Sequence, residues 1–115
     1  MIIDTHIHLD DERFIDDFDS NILRANEKKV EKFIIPGTSL EYIERAKQLS
    51  RDYEGVYYAV GIHPNYADSF NEGYFETHIN SKKFVAIGEC GLDYFHTKDE
   101  AKIKIQKEVF IKHIQ

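Results

Sequence analysis

Two histidines near the N-terminus, His6 and His8, are separated by a single residue and follow an apolar run. Side chains two residues apart in a β-strand point to the same face, so both imidazoles could reach one ion. Imidazole nitrogen is a common ligand of zinc and other divalent metals. The pair could equally be two partly buried histidines that begin a loop. We favour metal binding because the pair ends the first predicted strand and precedes an acidic segment.

A carboxylate, Glu89, follows a later apolar run at residues 84–88. At the end of a strand it could bridge two metal ions or orient a water molecule. Gly88 and Gly91 allow the backbone to turn there and other groups to approach closely. Taken alone, Glu89 is better explained as a solvated loop residue. Together with His6 and His8, it indicates a common metal site.

The roles of three further residues can each be interpreted in two ways, as functional or as structural. His63 follows the third apolar run and could contact an anionic substrate or act as an acid, or it could simply pack on its neighbour. Asp4 shares the predicted strand face of His6 and His8, where it could accept a hydrogen bond from an imidazole or be a buried structural residue. The same two interpretations apply to Asp93.

The other reactive or aromatic residues are interpreted as structural. Cys90 has no basic neighbour in sequence that would lower the pKa of its thiol. His113 lies on the apolar stripe of the last predicted helix, where it is packed or solvated. Residues interpreted in the same way, or as rim positions, are His78, His96, Tyr57, Tyr58, Tyr94 and Phe95.

Short apolar runs alternate with amphipathic segments along the whole chain. The pattern predicts strands at residues 1–6, 32–36, 56–61 and 84–89, and helices at 21–29, 40–52, 72–79 and from 99 onward. Strands that are apolar on both faces and alternate with helices are typical of a parallel sheet. We therefore predict an α/β fold of the (β/α) TIM-barrel type. A full barrel has eight such units, so this chain supplies the first four, a half barrel.

Composition limits the possible functions. The 115 residues suit one domain, and we interpret residues 1–115 as the N-terminal part of a single barrel domain that is cut short within its last helix. No apolar run is long enough for a membrane span, and the single cysteine favours a cytoplasmic setting. The net charge of −6 argues against a broad basic surface for nucleic acid. A bound metal would have to supply local positive charge.

Three segments together resemble the TatD-type metal-dependent hydrolases. They are MIIDTHIHLD at residues 1–10, GIHP at 61–64 and AIGECGLDY at 86–94, in the order and spacing typical of the family. The resemblance covers essentially the whole chain. It implies an amidohydrolase-like barrel, and members of this family are mostly deoxyribonucleases or related phosphodiester hydrolases.

The resemblance also implies roles for individual residues. His6 and His8 would bind the first of two divalent metals, Glu89 would bridge both, and His63 would lie near the substrate phosphate. Mg, Mn and Zn are not distinguished. The family takes two more histidines and an aspartate from later strands, which this chain does not contain, so the second ion would lack most of its ligands.

Three functions therefore remain open. The first is a metal-dependent nuclease acting on DNA or another phosphodiester through metal-activated water. The second is a related hydrolase of amides or esters, and the third is an inactive fragment or interaction module. A half barrel leaves its edge strands open, so the expected partners also include a missing C-terminal half or a second copy of the chain, but no membrane.

Overall fold

The computed structural model describes every residue from Met1 to Gln115 and contains one parallel sheet of four strands in the order β1-β2-β3-β4. The strands are β1 (Ile2–Asp4), β2 (Val30–Ile35), β3 (Val56–Val60) and β4 (Phe84–Ile87). The helices are α1 (Phe18–Glu27), α2 (Leu40–Asp52), α3 (Glu72–Glu76) and α4 (Glu100–Ile114). Two 3-10 helices cover Glu12–Asp17 and Pro64–Ser69. The predicted α/β half barrel is confirmed.

The core lies between the two central strands and the helices that cover them. Phe33, Ile35, Tyr58 and Val60 alternate along β2 and β3 and are almost completely buried. They share one cluster with Ile43 of α2. This alternation follows from the two-residue period of a strand and fixes which face receives the helices.

The edge strands are less well covered than the central ones. Ile3 of β1 is 46% exposed, and Val85 and Ile87 of β4 are 47% and 48% exposed. Strand β1 pairs only with β2, and β4 pairs only with β3. The sheet therefore has two unpaired edges. None of the helices combines the length and apolar character needed to cross a membrane.

Several element boundaries differ from the prediction. Strand β1 ends at Asp4, so His6 and His8 lie in the following bend and loop. Helix α1 begins at Phe18, three residues before predicted residue 21, because the buried Phe18 ring packs on Tyr53, 4.5 Å between centroids. Part of the acidic segment that follows the histidine pair forms the 3-10 helix Glu12–Asp17.

Of the next two helices, one has the bounds predicted from the sequence and the other is shorter than predicted. Helix α2 has the predicted bounds, although its predicted cap Ser39 makes no side-chain capping bond. Helix α3 ends at Glu76 and not at residue 79. The chain turns there, because the backbone N–H of His78 bonds to the Phe75 carbonyl at 3.0 Å and the His78 ring is buried.

Candidate metal centre

Two imidazoles and one carboxylate converge beyond the C-terminal ends of β1 and β4. The Nε2 atoms of His6 and His8 each lie 3.2 Å from the same atom, Oε1 of Glu89. Parallel strands bring their C-terminal ends to one edge of the sheet, which explains how residues more than eighty positions apart meet. The structure thus brings together all three residues that the sequence suggested as metal ligands.

The arrangement fits a divalent metal ion. Ligand atoms of His6, His8 and Glu89 all lie within 4.8 Å of one another. Bonds of about 2.0–2.1 Å in tetrahedral geometry place ligand atoms about 3.3 Å apart, close to the spacing found here. Two imidazoles with one carboxylate is a donor set that zinc and neighbouring transition metals accept. The side chain of His6 is 62% exposed, so this site is open on one side.

His63 joins the site from the loop after β3. Its Nε2 lies 3.7 Å from Oε2 of Glu89, the oxygen that the other two imidazoles leave free. Its Nδ1 accepts a hydrogen bond from the backbone N–H of Asn65 at 3.1 Å. A ring nitrogen that accepts a hydrogen bond through its lone pair carries no proton, so the neutral ring bears its proton on Nε2. His63 is therefore a donor directed at Glu89 and the adjacent cleft.

The backbone around Glu89 is held by close contacts between glycines. The N–H of Gly37 donates to the Gly88 carbonyl at 2.8 Å, and the N–H of Glu89 donates to the Gly37 carbonyl at 2.7 Å. A Cβ on Gly61 would lie 2.4 Å from backbone atoms of Gly88 and Glu89. Gly88 itself has a φ of 154°, which favours glycine. The ends of three strands are thus locked together beneath the carboxylate.

His113 of α4 anchors the loop that carries His63. Its Nε2 accepts the backbone N–H of Ile62 at 3.0 Å, and its Nδ1 donates to the Val109 carbonyl at 2.8 Å. The ring packs between Phe70 and Phe75, with both centroid distances 5.3 Å. The apolar stripe predicted for the last helix includes His113, but no local pattern in the sequence identifies Ile62 as its partner.

Asp10 begins the acidic segment that follows the histidine pair, and it lies inside the site. It is 2% exposed, and its Oδ1 has no hydrogen-bond partner. Burial raises the pKa of its carboxyl group, although a hydrogen bond from its own backbone N–H opposes that shift. Oδ1 lies 3.8 Å from Nδ1 of His8. In the sequence, only its position two residues after His8 indicates that Asp10 lies close to the candidate ligands.

A cleft of about 360 Å³ opens beside these residues. It is lined by His8, Asp10, Thr38, Tyr42, His63 and Glu89, with further residues at its rim. Polar groups that face a common space at the ends of parallel strands form a suitable place for a small polar ligand.

The two remaining candidate aspartates have contacts other than those predicted. Oδ1 of Asp4 accepts the backbone N–H of His6 at 3.1 Å and receives no imidazole hydrogen bond. The strand ends at Asp4, so the predicted shared face does not extend to His6. Asp93 bonds His96 Nδ1 at 2.7 Å and the backbone N–H of His96, and these bonds lower the pKa of Asp93 to about 2. Its carboxylate does not contact the three convergent residues.

Other residues interpreted as structural lie outside the site. The buried ring of His78 bonds the Tyr58 hydroxyl through Nδ1 at 3.0 Å, and burial lowers the pKa of this imidazole. Burial also raises the pKa of the Cys90 thiol, which makes it a poor nucleophile. Phe95 is 82% exposed and lies on the surface.

Comparison with known proteins gives a consistent result. Residues 3–115 match the family model described as TatD related DNase. A metal-dependent hydrolase of Bacillus subtilis, YabD, described as uncharacterized, is 38% identical over 113 residues, which is 96% of this chain and 44% of that protein. The 3'-5' ssDNA/RNA exonuclease TatD of Cronobacter sakazakii is 34% identical over 96 residues, 81% of this chain and 36% of the relative.

Solved structures show the same likeness in three dimensions. The crystal structure of YJJV, a TatD homologue from Escherichia coli K12, superimposes with a TM-score of 0.84 at 30% sequence identity. The match covers 98% of this chain and 45% of that structure. The chain thus spans less than half the length of these relatives.

Proposed function

Because this chain belongs to the family of TatD-related DNases, we propose that it is the N-terminal part of a metal-dependent phosphodiesterase that acts on nucleic acid. The observation that carries this proposal is the convergence of His6 Nε2 and His8 Nε2 on one oxygen of Glu89. A relative whose printed name is a ssDNA/RNA exonuclease supports the choice of substrate.

His6, His8 and Glu89 would together hold the first divalent ion. A bound ion would supply Lewis acidity, lowering the pKa of water and neutralising charge on the phosphodiester. Local positive charge of this kind explains how a chain with net charge −6 could accept a polyanion. Oε2 of Glu89 remains available toward His63 and could help to hold a second ion, whose other ligands would have to come from outside these 115 residues.

His63 would act on the substrate itself. Since the Nδ1 of His63 accepts the Asn65 N–H, only its Nε2–H can donate a hydrogen bond into the cleft. A neutral donor at this position would hydrogen-bond a phosphodiester oxygen and stabilise charge that develops on it, while keeping its own proton. Asn65 and His113 would keep this ring and its loop in place.

Calorimetric titration of Mn²⁺ and Zn²⁺ tests the metal site. We expect binding to the parent chain and its loss in a His6→Ala/His8→Ala variant, because two of three ligands are removed. His96→Ala is the matched control, since His96 is an exposed imidazole that contacts Asp93 and not Glu89. Equal binding by the parent and the double variant would refute the proposed centre.

Substrate assays then separate the classes of reaction. Single-stranded DNA and RNA should be compared with small amide and ester substrates, in the presence of Mg²⁺, Mn²⁺ or Zn²⁺. Metal-dependent cleavage of an amide or ester, but not of nucleic acid, would favour the related hydrolase.

A second candidate function is binding without turnover. The chain covers only 44% of the length of the Bacillus subtilis relative. For the chain alone, this partial coverage favours binding without turnover. Nucleic-acid binding without cleavage, by a chain that also binds metal, would support this alternative.

A further inference from the structure

A tight turn folds the chain back immediately after His8. The backbone N–H of Asp11 donates to the His8 carbonyl at 3.1 Å, which closes the turn. Asp10 lies inside this turn, and its side chain is directed to the back of the His8 ring. The turn therefore places a carboxylate behind a candidate metal ligand, on the side away from Glu89.

The two nitrogens of the His8 ring face two different carboxylates. Nε2 lies 3.2 Å from Oε1 of Glu89, and Nδ1 lies 3.8 Å from Oδ1 of Asp10. The second distance is too long for a hydrogen bond, but a displacement of less than 1 Å would make one. When Nε2 binds a metal, the proton of the neutral ring must lie on Nδ1, which then becomes a donor facing Asp10.

One oxygen of the Asp10 carboxylate lacks the partner that a buried carboxylate oxygen normally has. Asp10 is 2% exposed, its Oδ1 accepts no hydrogen bond, and its only ion-pair contact within 4 Å is with the His8 ring. A buried and unsatisfied carboxylate oxygen costs folding free energy. Asp11, the next residue, is paired with Arg13. The unpaired oxygen is therefore available for a donor that appears only when the site is loaded.

We propose that Asp10 is the positioning residue for His8, accepting its Nδ1–H when the metal is bound and so directing the Nε2 lone pair at the ion. This inference rests on the proposed metal centre. A carboxylate behind a ligating imidazole fixes the tautomer and ring orientation and raises the basicity of the ligand, and loss of such a partner typically weakens metal affinity by about 10–100-fold.

The test compares the Zn²⁺ affinity of the 115-residue chain with that of Asp10→Ala, which removes the acceptor, and of Asp16→Ala. Asp16 is an exposed aspartate in the neighbouring 3-10 helix, so its variant removes the same group away from His8. We expect Asp10→Ala to weaken Zn²⁺ binding by about 10–100-fold and Asp16→Ala to leave it almost unchanged. Equal affinities for the parent and Asp10→Ala, or equal losses in both variants, would overturn the inference while leaving the metal centre intact.

Thermal unfolding of the metal-free chains separates positioning from a structural role. The buried oxygen is unsatisfied, so Asp10→Ala, which removes it, should leave the melting temperature unchanged or raise it. A lower melting temperature with unchanged affinity would mean that Asp10 only supports the fold, which overturns the proposal.

A measurement on the parent needs no variant. In the Zn²⁺-loaded chain, the Nδ1–H of His8 should give a resolved downfield proton resonance that exchanges slowly with water. Rapid exchange of that proton would contradict the proposed hydrogen bond. Absence of Zn²⁺ binding by the parent would overturn the metal centre and this inference together.

Discussion

At the scale of single residues, the role of each histidine depends on which ring nitrogen is engaged. His63 accepts through Nδ1 and leaves Nε2 as a donor toward Glu89. His113 accepts through Nε2 and anchors a loop. His8 has one nitrogen toward Glu89 and the other toward Asp10. Residues of the same type thus differ in chemistry because their neighbours differ.

His78 should make stability depend on pH. Burial lowers the pKa of its imidazole in the folded chain below the ordinary value of about 6.5. As the pH falls through about 6.5, the unfolded chain takes up a proton that folded His78 does not, so the free energy of unfolding should decrease. Denaturant unfolding between about pH 8 and 5 measures this effect.

A control for His78 separates its contribution from that of the other histidines. His78→Gln removes the titrating group and should flatten part of this pH dependence, whereas His96→Gln removes an exposed imidazole. An identical pH dependence for the parent and His78→Gln would contradict the prediction.

At the scale of elements, the site depends on how closely three strand ends approach one another. Gly37 after β2 exchanges backbone hydrogen bonds with Gly88 and Glu89 after β4. Gly61 after β3 lies beneath them with no room for a Cβ. The backbone therefore sets the position of the Glu89 carboxylate. Helix α4 adds a second restraint through His113, which binds the loop ahead of His63.

Gly61→Ala should damage both the fold and the site. Its Cβ would lie 2.4 Å from backbone atoms that cannot move independently, so we expect a loss of roughly 1–3 kcal/mol in stability and weaker Zn²⁺ binding as Glu89 is displaced. Gly73→Ala is the control, because Gly73 lies in α3 with its nearest contact at 3.7 Å, from a flexible side chain. Alanine also favours a helix over glycine. Equal stability and metal affinity in the two variants would refute this account.

At the scale of the whole molecule, the sheet is not closed. Its edge strands β1 and β4 are unpaired and carry exposed apolar side chains. The chain spans 44% of the Bacillus relative and 45% of the Escherichia coli structure. Association with a second half, or with another copy, remains a prediction from these open edges. The cytoplasmic setting, inferred from the single cysteine, also remains a prediction.

The open edge should promote self-association. We expect sedimentation velocity to detect dimers or larger species at micromolar concentration, and Val85→Lys to reduce them, since a charged edge strand resists pairing. Leu23→Lys is the control, because Leu23 is 62% exposed on α1 and away from the sheet edge. A monodisperse folded monomer at all concentrations would contradict the prediction.

The sequence by itself determined the family, the parallel order of the elements and the bounds of α2. These properties depend on local signals such as apolar periodicity, glycine and proline positions and short motifs, and the family model confirms the predicted resemblance over residues 3–115. The three convergent residues were also identifiable, because the ends of parallel strands share one edge.

Only the tertiary structure decided which groups touch. No local pattern indicates that Asp10 is buried, or that the Ile62 N–H bonds to His113, 51 residues away. No local pattern shows either that Asp4 and Asp93 bond to partners other than the convergent imidazoles. Local sequence encodes periodicity and turns, whereas the partner of a polar side chain depends on how distant segments pack together. That packing is a property of the whole chain.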